Sequence, residues 1–157
     1  MRLALAASLA LAVAGCARDN PSQIEVHGTL SDGTALDGVY PGAVDNTSSP
    51  WRLHCSGSGP ETVEGFWLWF DPGVVANMPY PSNGADPNSG PVHFFVLRPA
   101  ADGGAGATTA SLVDGGQIVF SSVGPDTYSG SLAGLSLVRS GQTVLTVDHG
   151  SFVAARP

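Results

Sequence analysis

The chain has 157 residues and a net charge of −7, with 13 acidic side chains against six arginines and no lysine. That balance argues against a nucleic-acid surface, which needs cations to neutralise phosphates, and against an electrostatic grip on anionic lipid. The missing lysine excludes a phosphate-loop site, a Schiff base and the Ser-x-x-Lys of penicillin-binding enzymes.

The chain starts Met1-Arg2 and runs apolar from Leu3 to Val13, broken only by Ser8. Such a run is too short to span a bilayer, which takes about 20 apolar residues. A charged start, a short apolar stretch and small residues at its end have the form of an export signal. The end, Val13-Ala14-Gly15-Cys16, resembles the lipobox of bacterial lipoproteins, with Val13 where the pattern usually has Leu. The resemblance implies that the Cys16 thiol takes a diacylglycerol and that the chain is cut before it. Ala17 rather than Asp after the cysteine implies the outer membrane, if the cell is Gram-negative. An ordinary signal peptide is the alternative. The expected organisation is a cleaved signal over 1–15, a lipidated tether over 16–22 and one domain over 23–157.

Beyond the tether no helical period persists. Apolar residues alternate instead, and 21 glycines and 12 prolines break up any long element, as in an all-β domain. The expected strands are Ile24–Leu30, Ala35–Tyr40, Trp51–Ser56, Val63–Phe70, Val92–Arg98, Gln117–Val123, Thr127–Val138, Thr143–Val147 and Ser151–Ala155. Those over 63–70 and 92–98 are apolar on both faces, as central strands are. The alternation slips by one residue near Ala133-Gly134, which predicts a bulge or bend. About eight short antiparallel strands predict a single β-sandwich, with a small β-barrel as the alternative. The segment from Tyr128 to Phe152 resembles the closing strands of small β-sandwich domains in exported lipoproteins, and implies nothing about activity.

Candidate chemistry is sparse. A lipid on Cys16 would leave Cys55 unpaired, and alternation puts Cys55 on the face of Trp51 and Leu53, as a small buried apolar residue. His54 points the other way, so the neighbours make a poor dyad. His27, His54, His93 and His149 lie on separate strands, and no metal set is recognisable among them. Asp86-x-Asn88-x-Gly90 has the opening of a calcium loop, but Leu97 stands where the bidentate acid is needed. No metal and no cofactor is therefore expected.

Two features are candidates for binding, each with a structural alternative. The segment 71–91 is longer than connecting loops usually are and carries Tyr80, Asn83, Asp86 and Asn88 among its prolines; it reads as a passive covering loop, with a binding loop as the alternative. Phe66-Trp67-Leu68-Trp69-Phe70 sends both tryptophans to one face; exposed, Trp67 and Trp69 would make a sugar-stacking platform, and buried they would be core. The expectation is a non-enzymatic envelope lipoprotein, held on the membrane by Cys16 and engaging a protein or glycan partner. The alternatives are a carbohydrate or small-ligand module using the 71–91 loop and the aromatics, and an enzyme whose site forms only in three dimensions.

Overall fold

A computed structural model describes residues 22–57, 63–82, 90–99, 108–139 and 141–156. Ten strands occupy these residues: β1 (Gln23–Leu30), β2 (Ala35–Asp45), β3 (Trp51–Ser56), β4 (Gly65–Phe70), β5 (Pro79–Ser82), β6 (Val92–Pro99), β7 (Thr108–Leu112), β8 (Gly115–Val123), β9 (Thr127–Arg139) and β10 (Gln142–Ala155). They form one antiparallel sheet in the order β5-β8-β9-β10-β1-β2-β3-β4-β6-β7, curled into a nearly closed barrel.

The predicted sandwich is therefore corrected to a barrel. Alternation marks an inward and an outward face in either architecture, so it could not separate them. What decides is continuity. β2 is long enough to pair with β1 through Pro41 and with β3 from Gly42 onward, so no break divides the sheet. At the other margin, β7 runs almost directly into β8. Val113 still donates to Phe94 O at 2.9 Å, while Asp114 already exchanges hydrogen bonds with Ser136. Ser82 then ties β5 across the seam. Its buried hydroxyl donates to Val113 O at 2.7 Å and accepts from Phe94 N at 3.4 Å.

Curvature comes from a row of irregularities at one level of the sheet. The β1–β10 register shifts between His27 and Gly28. Gly134 on β9 has φ 65°, and Gly116 on β8 has φ 63°. Bulges and left-handed residues sharpen the local bend and twist. The phase slip predicted near Ala133-Gly134 is thus real: Leu132 and Leu135 both turn inward. Two strands had no sequence signal. β5 lies inside the stretch expected to be an irregular loop, and β7 falls where no strand was expected. Thr143–Val147 and Ser151–Ala155 are one strand, β10, because Gly150 stays in the ladder opposite Val26 and Leu132.

The core fills the barrel with the inward residues of every strand whose side chains are described. Phe120 packs 5.3 Å from Phe70 and 5.0 Å from Phe152 between ring centroids, and Phe66 stacks on Phe94.

The two ends of the barrel differ. At the end where β1 begins, Ser22 is pinned by Ala155 and Gly42. The segment 71–78 crosses that end, held by Tyr128 Oη on Pro72 O and by Asn77 N on Phe120 O. Val74 turns into the core there, and Trp51 packs beside it on Phe70 and Tyr128. At the far end a cavity of about 110 Å³ opens, lined mainly by Leu30, Val63, Val96, Leu137 and Val144, with Arg98 and Asp32 at its polar margin.

Candidate functional site

Outward parity on β3 and β4 and the pairing of β3, β4 and β6 assemble a patch on the side of the barrel. Arg52 faces Trp69 and His54 faces Trp67 across the β3–β4 ladder. Trp67 faces Phe95, and Trp69 faces His93, across β4–β6. The rings pack against one another. His54 stacks on Trp67 at 4.5 Å and 25°, and the two indoles lie 6.1 Å apart and nearly parallel. Phe95 leans on Trp69 at 4.5 Å. The Arg52 guanidinium sits 4.8 Å over the Trp69 ring, a cation–π contact.

The patch is unusual in its polar atoms. Arg52 Nε, His54 Nε2, Trp69 Nε1 and His93 Nδ1 are all buried without a hydrogen-bond partner. A buried donor or acceptor left unmatched costs about 1–3 kcal/mol, and most native buried groups are matched. Among the described residues one further side-chain atom is in this condition, Tyr40 Oη in the core. Burial, with the nearby charge of Arg52, holds the His54 imidazole below its ordinary pKa, so its neutral form is favoured.

The tryptophans predicted from sequence thus lie together, but not as an open platform. Each is partly buried, and His54 and Arg52 cover one face of Trp67 and one of Trp69. The other predicted residues do not join them. Tyr80 is 8% exposed, packs edge-on against Phe120 inside the barrel, and accepts a hydrogen bond from Val75 N. Asn83, Asp86 and Asn88 lie outside the described residues, as does the lipidation residue Cys16. Cys55 is a free thiol 1% exposed on the inner face of β3, and burial pushes its pKa up to about 12. Among the described residues no three His, Cys, Asp or Glu side chains are grouped to hold a metal.

Arg52, His54, His93 and Phe95 were missed from sequence. Outward parity on β3 was readable in Trp51-Arg52-Leu53-His54-Cys55; that β4 and β6 would stand beside it was not.

A second outward cluster was also missed, because it joins the first strand to the last. His27 on β1 lies opposite His149 on β10, with the rings stacked at 4.6 Å. His27 Nδ1 is 2.9 Å from Asp37 and Nε2 is 3.2 Å from Glu25, whose other oxygen accepts from the Ser151 hydroxyl. Two carboxylates on one imidazole require both nitrogens to donate. These hydrogen bonds, the one to Asp37 foremost, raise the His27 pKa, and the bond from His27 lowers that of Glu25.

No family model, curated protein or solved structure matches the chain.

Proposed function

We propose that the chain is a lipid-anchored envelope protein whose barrel is a non-catalytic binding module, with a protein partner docking on the β3–β4–β6 face. The observation that supports the reading is the clustering of four unmatched buried polar atoms on that face. A partner supplying acceptors to Arg52 and Trp69, a donor to His93 Nδ1, whose Nε2 donates to Gly90 O at 3.2 Å, and either role to His54 would recover what the free barrel forgoes. The composition fits a protein partner better than a glycan. Tryptophan and arginine dominate protein hot spots, whereas sugar stacking needs open ring faces, and one face of each indole is covered. The anchor is the lipid on Cys16, proposed from the lipobox resemblance.

Ala43 is exposed at the rim of the face, opposite His54. A photo-crosslinking residue at Ala43 of the full chain, in intact envelopes, should give a discrete protein adduct that Trp69→Ala abolishes. The same group at exposed Ser131, on the outer side of β9, should give none. Equal adducts from both positions, or an Ala43 adduct indifferent to Trp69→Ala, would overturn the docking face. A glycosidase-sensitive adduct would transfer it to the carbohydrate reading.

A further inference from the structure

The exposed apolar residues are not spread evenly. Among the described residues, the large hydrophobic side chains that face solvent are Val39, Val75, Met78, Val123 and Val138. Three of them, Val75 at 58%, Met78 at 51% and Val123 at 37%, lie at the end of the barrel where β1 begins. Val123 closes β8 opposite Tyr128, beside the 124–127 turn, and Thr127 pairs with Ala155 at the root of the chain. Val75 and Met78 belong to the segment that crosses this end. Asn77, at φ 62°, makes the left-handed turn before Met78, a conformation asparagine tolerates better than most residues.

Ser22, fixed to Ala155 and Gly42, emerges at the same end. Five residues separate it from Cys16, and the six steps between them reach at most about 22 Å at full extension. The length of the tether and its point of attachment therefore decide which end of the barrel can meet the surface that holds the lipid. That end is also the one with the apolar side chains.

We propose that Val75, Met78 and Val123 form a membrane-contacting rim, which seats the barrel on the bilayer with its far end, and the cavity there, turned away. This rests on the Cys16 anchor proposed above. The charges at this end are mixed: Arg52 and Arg156 stand with Asp45, Asp71 and Asp126. That is no polybasic patch of the kind that selects anionic lipid. The contact is apolar and shallow, at the depth of headgroups and upper acyl chains. It need not be strong, because the anchor already supplies a high effective concentration at the surface. The plugged construction suits the role: Val74 is buried and Trp51 packs on Phe70 and Tyr128, so the end is closed from within.

The test uses the full lipidated chain in vesicles of phosphatidylcholine and phosphatidylglycerol, with Met78→Cys or Val138→Cys carrying an environment-sensitive fluorophore. Val138 is equally exposed but lies at the far end, opposite Thr143. Vesicle flotation is scored first, and quenching by nitroxide-labelled lipid second. The expected result is flotation of both, with the Met78 label blue-shifted and mostly quenched and the Val138 label unaffected. Flotation with an unquenched Met78 label, or with both labels quenched alike, overturns the rim while leaving the anchor standing. Failure to float overturns the anchor, and the rim with it.

Discussion

The barrel has two outer faces built on opposite principles. On the β10–β1–β2 face, polar side chains satisfy one another: Asp37, His27, Glu25 and Ser151 form a continuous chain of hydrogen bonds across three strands. On the β3–β4–β6 face, aromatic rings pack together and four polar atoms among them are buried unmatched. Both faces contain histidines, stacked in both cases on another ring. The difference teaches where the free protein is finished and where it is not. A face that satisfies itself needs nothing from outside. A face that buries polar atoms without partners lowers stability for no benefit in the isolated barrel, and such local inconsistency is what functional surfaces look like.

The largest expected effect concerns what lies beneath the aromatic face. Cys55 sits directly under it, on the inner side of β3, with its pKa pushed up to about 12 by burial. Only the thiolate reacts with an alkylating reagent. At pH 8 the folded chain should therefore be alkylated at Cys55 about a thousandfold more slowly than the unfolded one, whose thiol has a pKa of about 8.5. Mass spectrometry after iodoacetamide pulses measures this. A native rate within tenfold of the unfolded rate would mean that the aromatic wall opens, and the contrast between a firm wall and an unfinished surface would collapse.

Trp69→Ala comes next. The indole packs on Arg52 and Phe95 but keeps some solvent exposure, so its loss should cost about 2 kcal/mol, below the 3–5 kcal/mol of a fully buried aromatic. Denaturant unfolding would show it as a lower midpoint with an unchanged slope. Ser151→Ala on the polar face removes one part-buried hydrogen bond and should shift the midpoint less. Equal losses would erase the distinction between a packed face and a polar one.

His54→Phe reverses the sign. Phenylalanine keeps the stack on Trp67 and removes an unmatched buried nitrogen, so the variant should be more stable by about 1 kcal/mol. The same substitution should weaken the Ala43 adduct. Stability gained and binding lost together mark a residue kept for function. A destabilised His54→Phe would show that the imidazole already has a partner in the folded chain.

The sequence made the strands legible where alternation was clean. Ile24 and Val26 inward with Glu25 and His27 outward could be read directly, as could the phase slip at Gly134. The barrel was not legible, because closure depends on which strands are neighbours. Ser82, whose side chain ties the seam, looks like any loop serine. β5 escaped because Pro79 and Pro81 flank Tyr80, and proline demotes a strand reading. The site was half legible for the same reason. Trp67 and Trp69 stand two apart on one strand and announce themselves, whereas Arg52, His54, His93 and Phe95 reach them only through cross-strand pairing. His27 and His149 are separated by nearly the whole domain and meet only because the last strand pairs with the first.

The two histidine environments give the smallest and most discriminating prediction, since they act in opposite directions with pH. His27 is raised above 6.5 by its bonds to Asp37 and Glu25. Its contribution to stability is fully present below the unfolded value and is lost as pH rises through the folded one. His54 is lowered below 6.5 by burial and by Arg52. Its neutral form is the one the fold accepts, so its contribution is present above the unfolded value and is lost as pH falls through the folded one. In the wild type the two act on opposite sides of the unfolded value, so together they shape a stability maximum near pH 6.5. Single variants should uncover each arm. His27→Gln removes the alkaline loss, so its stability should rise more steeply, or fall less, between pH 6 and pH 8 than that of the wild type. His54→Phe removes the acid penalty, so its advantage over the wild type should grow as pH is lowered from 7 to 5. Thermal midpoints across that range decide the matter. If both variants moved the profile in the same direction, the two faces would share one electrostatic character.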